Sequence, residues 1–252
     1  MKVTILGCGT SLGLPVVGCN CPVCRGSHPK NRRLRTAIRL VIGDRIVIVD
    51  ASPDMRRQCL EYGITRLDAL LLTHAHADHI HGLDDIRPFN FFQKAAIDVY
   101  CDTHTEKSVR ASFAYMFEKE RLFGGVPQVV FHGAEKSFEL FGMSVIPLPV
   151  KHGHWTILGF RIGDFAYITD TNLIPDETIE LMQDLKVLVL NALRFQEHPT
   201  HLSLEQSIAY AECIGAGQTY FTHMGHEIDY NEVDPGLPQN INLCYDGLEF
   251  ES

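Results

Sequence analysis

Thirteen residues, Leu70 to Gly82 (LLLTHAHADHIHG), restrict what this chain can become more than any other segment. Leu70 to Thr73 read as the end of a buried strand, after which the chain turns through His74, His76, Asp78 and His79 before reaching Gly82. Three imidazoles and a carboxylate within six residues are a costly density of polar groups for a turn fed by an apolar strand, because buried polar groups need partners. Neutral imidazoles two positions apart can face one cation, while Asp78 and His79, further round the turn, can hold a second. The fold must therefore bring this strand end to a place where further ligands converge.

Strand-like runs recur at Lys2 to Gly7, Ala37 to Ile42, Arg45 to Asp50, Ala69 to Thr73, Ile97 to Cys101, Gln128 to Phe131, Met143 to Pro149, Gly159 to Ile162, Phe165 to Thr169, Val187 to Asn191 and Gln218 to Thr222. Helical patterns intervene at Pro53 to Tyr62, Thr103 to Phe117, Pro175 to Gln183 and Ser203 to Ile214. The last opens with Ser203 and Gln206 spaced as a capping box. With no Pro- or Ser-rich linker, this mixture predicts one layered α/β domain over residues 1–252. IVIVDAS (Ile46 to Ser52) and FAYITDT (Phe165 to Thr171) echo one another, each placing an Asp at a strand's end before a helix. In layered α/β folds such ends and the loops after them gather active sites.

THAHADHIHG resembles the HxHxDH signature of the metallo-β-lactamase superfamily, and the superfamily's remaining ligands map in order onto His152 in PVKHGH, Asp170 in YITDT and His223 in YFTHMGH. The resemblance implies a four-layer αββα sandwich. It implies His74, His76 and His152 on one metal, Asp78, His79 and His223 on another, and Asp170 bridging both. Asp50 looks like the superfamily's first motif, a residue that fixes the ligand loop without ligating. β-Lactamases of this fold usually lack the second-metal His after the Asp, and the redox diiron members carry an acidic residue where His76 stands. The set here is similar to the hydrolytic phosphodiesterase branch, in which two cations generate hydroxide and neutralise phosphoryl charge.

Cys19, Cys21 and Cys24 form CNCPVC within a Gly- and Pro-rich loop at about residues 7–28. Three thiolates do not close a tetrahedral shell, and His226, three residues after His223, is the best candidate for the fourth ligand. Together with the ligand set, this loop resembles that of PhnP-type phosphoribosyl cyclic phosphodiesterases, whose thiolates and final His hold a structural zinc. His201 in PTHLSLEQ matches a position of that family assigned to the leaving-group proton. It precedes a helix whose N-terminal end can attract an anion. His154, His28, His81, His104, His132 and His198 carry no such signal and are read as structural. Lys30, Arg32, Arg33 and Arg35 read as a solvated face.

With 31 acidic against 22 basic residues the net charge is −9, which argues against a broad nucleic-acid surface. No apolar run approaches the ~20 residues needed to span a bilayer, and Met1 leads directly into a strand, so a cytoplasmic protein is expected. The expected activity is a dinuclear metal-dependent phosphodiesterase acting on a small cyclic or nucleotide-like phosphodiester. It would carry two divalent ions, zinc or manganese, at the active site and one structural zinc. His201 and Asp170 are the catalytic candidates. Nucleic acid and membrane are not expected partners, and a homodimer is compatible with the sequence. Two alternatives stand beside this reading: a tRNA-processing endonuclease of the same superfamily, and a PqqB-like cofactor-biosynthesis or binding protein.

Overall fold

A computed structural model describes residues 1–118 and 125–252. The first half supplies β1 (Lys2–Gly7), β2 (Ala37–Ile42), β3 (Arg45–Val49), β4 (Ala69–Leu71), β5 (Ile97–Cys101) and β6 (Val129–Gly133). The second supplies β7 (Phe138–Leu140), β8 (Met143–His152), β9 (Trp155–Ile162), β10 (Phe165–Ile168), β11 (Val187–Asn191), β12 (Gln218–Thr222) and β13 (Ile241–Leu243), and β14 (Glu249–Glu251) returns to the first sheet. The two seven-stranded sheets run β14-β1-β2-β3-β4-β5-β6 and β7-β8-β9-β10-β11-β12-β13. From β1 and from β8 alike, two antiparallel pairings are followed by three parallel ones. The echo of IVIVDAS and FAYITDT is thus the local trace of a topology repeated across both halves.

Alternation explains why these strands are apolar on both sides. Val47 and Val49 of β3 and Ala69 and Leu71 of β4 enter the core shared with the second sheet, where they join Leu148, Phe160 and Tyr167. Ile48, Leu70 and Leu72 point the other way, under Met55, Ile80, Leu83 and Val109 of the outer helical layer. On the far side, the helix Leu204–Ile214 contributes Leu204, Ala211 and Ile214 to the inner core. Each fully buried Leu or Ile is worth about 1.5–3 kcal/mol. The result is the expected four-layer αββα arrangement. The Ser203–Gln206 capping box is present in both directions and opens that helix.

Several bounds differ from those read in the sequence. β8 runs on to His152 and β9 begins at Trp155, so His152 ends a strand at the turn of the β8–β9 hairpin. The helices expected at Pro53 to Tyr62, Thr103 to Phe117 and Pro175 to Gln183 are shorter, at Met55–Glu61, Thr103–Ser112 and Asp176–Glu180. β7, β13 and β14, three residues each and at or beside sheet edges, went unread because so short a run carries little periodicity.

Arg33 departs from the solvated-face reading of the basic run, in which Arg32 is exposed and Lys30 and Arg35 are half-buried. Arg33 itself is 1% exposed. Its guanidinium donates to the carbonyls of Lys30 (3.2 Å), Gly225 (3.1 Å) and Ile228 (2.7 Å) and to Asn31 Oδ1 (3.1 Å). Those carbonyl acceptors let a buried cation replace its hydration, and burial still pulls its pKa below the usual arginine value. No helix among the described residues is long and apolar enough to cross a membrane.

Candidate metal centre

Asp50, Asp170 and His223 follow the C-terminal ends of β3, β10 and β12, and all three have positive φ, at 67°, 54° and 56°. Left-handed backbone is unfavourable for residues with a Cβ and persists where surrounding bonds over-determine it. For Asp50 the bonds are explicit: its carboxyl accepts from the Thr73 N–H (2.8 Å), the Thr73 hydroxyl (2.9 Å) and His79 Nδ1 (2.7 Å). Ala51 N–H donates to the His79 carbonyl and Gly82 N–H to the Ala51 carbonyl, each at 2.8 Å. A Cβ on Gly82 would lie 1.9 Å from the Ser52 carbonyl oxygen, so only glycine lets the two loops close this tightly. Asp170 is held by its neighbour: Thr171 exchanges bonds with the buried Asn191 side chain at 3.0 and 3.2 Å.

Two ligand clusters share Asp170. In the first, His74, His76, His152 and Asp170 bring one ligand atom each within 4.8 Å of one another, and in the second Asp78, His79, Asp170 and His223 do the same. His76 Nδ1 lies 3.0 Å from His74 Nε2 and 3.3 Å from His152 Nε2. The far nitrogens are already engaged: His152 Nδ1 donates to the Thr200 carbonyl (2.8 Å), and His74 Nδ1 meets the Thr73 hydroxyl (3.0 Å). These bonds fix the tautomers so that lone pairs face inward, where they repel unless a cation lies among them.

The second cluster makes the same demand more strongly. His79 Nε2 is 3.2 Å from Asp78 Oδ2 and 3.3 Å from Asp170 Oδ1, and His223 Nε2 is 3.2 Å from Asp170 Oδ2. None of these contacts has hydrogen-bond geometry. His79 Nε2 and both nitrogens of His223 are buried without a hydrogen-bond partner among the described residues. Buried polar atoms are rarely orphaned. Burial alone would push His79 down, yet Asp170, Asp78 and Asp50 around it raise it well above the ordinary histidine value. Burial likewise opposes ionisation of Asp170, but His223 and His79 hold its carboxyl well below the usual range. Carboxylates that raise the buried His79 in this way supply a negative field and donor atoms suited to divalent cations.

His201 lies beside the clusters, outside both ligand sets. Its Nε2 is 3.4 Å from Asp170 Oδ2, and its ring is 4.8 Å from His152 and 4.9 Å from His223. Burial, reinforced by His223, pushes its pKa down to about 3. His198, read as structural, accepts from the Thr200 N–H (3.3 Å) and packs on His201, so it shapes the loop that carries both Thr200 and His201. His154 enters neither cluster and lines an outer hollow with Trp155.

Cys19, Cys21, Cys24 and His226 form a third group, their Sγ atoms 3.2, 3.5 and 3.6 Å from His226 Nδ1. Backbone N–H groups of Cys21, Cys24 and Val16 point at the sulfurs of Cys19, Cys21 and Cys24 in turn. The Cys24 N–H is the main reason that Cys21 is lowered to about 7, whereas burial raises Cys24 to about 11. Four soft donors arranged about one point fit a tetrahedral cation. Sequence reasoning missed what anchors this loop to the site, since Arg33 binds carbonyls on either side of His226 and no local pattern announces it.

A family model described as a beta-lactamase superfamily domain matches residues 45–224. An octanoyltransferase from Porphyromonas gingivalis is 38% identical over 255 residues, covering 99% of this chain and 51% of that protein, so the chain spans about half the length of this relative. The crystal structure of a diphosphatase from the PhnP family is similar at 41% identity and a TM-score of 0.94, over 100% of this chain and 97% of that one. Zinc-bound PqqB from Methylobacterium extorquens is similar in fold, with 21% identity and a TM-score of 0.80 over the whole of both chains.

Proposed function

The chain belongs to the beta-lactamase superfamily and, within it, to the PhnP family, and from that premise we propose that it is a metal-dependent phosphodiesterase for a small cyclic or nucleotide-like substrate. The observation that carries the reading is Asp170, whose carboxylate belongs to both ligand clusters at once. His74, His76 and His152 would hold one divalent ion, zinc or manganese, and Asp78, His79 and His223 a second. When bound, such a pair supplies an activated water and neutralises charge on phosphoryl oxygens. Asp50 and the Thr200 carbonyl keep the imidazoles aimed. His201, neutral before substrate arrives, would take up a proton as the anionic phosphodiester enters and release it to the departing alcohol.

The name of the 41% identical relative favours a second reading, cleavage of a diphosphate linkage with the same ligands. Both readings are tested by kcat/KM on bis(4-nitrophenyl) phosphate, a dinucleoside diphosphate, 4-nitrophenyl phosphate and a β-lactam. The phosphodiester is expected to lead. A preferred diphosphate moves the assignment to the second reading, and a preferred β-lactam ends both.

For the third cluster we infer a structural zinc. Cys21→Ser is expected to lower zinc by one per chain, measured by plasma mass spectrometry after desalting, and to speed protease cleavage between about residues 10 and 30. Because Arg33 also grips the segment around His226, the catalytic ions should stay bound but more weakly. Unchanged zinc content in that variant removes the structural site.

A further inference from the structure

Trp155 is the chain's one tryptophan, and 47% of it is exposed. Trp side chains are mostly buried, so this much open ring beside a polar site asks for an explanation. The position is rigid. Trp155 pairs with His152 across the two-residue turn Gly153–His154, and the Gly153 N–H donates to Asn172 Oδ1 at 2.7 Å. Gly153 has φ +59°, and a Cβ there would come within 3.1 Å of the Thr200 methyl, so the turn is also pressed against the loop that carries His201. The indole packs on His76, with centroids 5.1 Å apart and planes at 43°, and meets His104 edge-on at 5.6 Å. The ring that abuts a proposed ligand of the first ion is therefore held at a fixed tilt by both halves of the fold.

Beside it opens a cavity of about 530 Å³, whose lining includes Trp155, Asn172, Pro199, Thr200, His76 and His152. That is within the range of small-molecule pockets, and a flat aromatic wall beside polar groups suits a planar, partly polar ring. A separate hollow of about 230 Å³ opens on His201 and His223. The two substituents of a phosphodiester would thus face different surroundings, the departing alcohol on the His201 side and the retained group on the indole side.

We propose that Trp155 is a stacking platform for a nucleobase, which makes nucleoside-bearing phosphodiesters the preferred substrate class. The cleavage half of this statement rests on the phosphodiesterase reading above, whereas the stacking half does not. Stacking of a base on an aromatic side chain changes affinity by about 10- to 100-fold when the aromatic is removed.

The test uses the metal-loaded protein and two phosphomonoesters, adenosine 5′-monophosphate and ribose 5-phosphate, which share the sugar and phosphate and differ in the base. Because Trp155 is the sole tryptophan, quenching of intrinsic fluorescence by the adenosine compound reports contact at this residue. The adenosine compound is expected to quench and, by calorimetry, to bind at least about 10-fold more tightly than ribose 5-phosphate. Trp155→Ala should erase that difference and Trp155→Phe should keep most of it, with metal content measured in both. Equal affinities in the wild type, no binding of either compound at millimolar concentration, or an undiminished preference in Trp155→Ala overturns the proposal. If no phosphodiester is turned over while the base preference and its loss in Trp155→Ala are seen, the phosphodiesterase reading fails and the platform stands.

Discussion

Asp170→Asn is expected to lose both catalytic ions and with them nearly all hydrolysis. Groups that merely orient ligands cost about 10- to 100-fold in metal affinity or activity, so a carboxylate shared by two ions should cost more than about 100-fold on each. The asparagine keeps the size of the side chain and tolerates the left-handed backbone at φ 54°, which an alanine would resist. What it removes is the negative charge that His223, His79 and His74 surround. The fold should survive, as far-ultraviolet circular dichroism will report, while plasma mass spectrometry shows the ions gone. A variant that retains two ions and full phosphodiesterase activity sinks the bridging assignment.

His201→Ala is expected to behave differently, keeping its ions and losing rate according to the leaving group. General acid assistance is worth about 10²- to 10⁴-fold, and that loss should appear with a ribose alcohol as leaving group. It should shrink for 4-nitrophenolate, which departs without a proton. The low pKa of His201, near 3, comes from burial first and from His223 second. An anionic substrate opposes the effect of His223 and favours the protonated ring in the complex, so the fall of kcat as pH rises through that ring's pKa should disappear in the variant. Equal losses on both substrates would mean that His201 positions the substrate and carries no proton.

Seven of the proposed ligands were legible because they are dense and local, four in Leu70 to Gly82 and three cysteines in CNCPVC, whereas His152, Asp170 and His223 stand singly and were legible through the family resemblance. The structure brings all of these into three clusters. Strands with long apolar runs were legible to the residue at Lys2–Gly7, Ala37–Ile42, Ile97–Cys101, Val187–Asn191 and Gln218–Thr222. What escaped depends on contacts between residues 48 to 195 positions apart. Arg33 reads as one charge among several until Gly225 and Ile228 are known to face it. Trp155 has no periodic signal, and its meaning comes from His76, His104 and the cavity beside them. Thr200 contributes a backbone carbonyl, which no side-chain pattern encodes.

The repeated topology gives the clusters a mechanical consequence. His74, His76, Asp78 and His79 come from the half that builds the first sheet, and His152, Asp170 and His223 from the half that builds the second; Cys19, Cys21 and Cys24 meet His226 across the same divide. Each ion held there would be a cross-link between the halves. Unfolding that separates the sheets would have to eject it, so metal supply would set the cooperativity of the whole molecule, with about 4 kcal/mol gained per site when free ion exceeds its dissociation constant 1,000-fold. Starving such a protein of metal would remove the rivets that join its two halves as well as the catalyst.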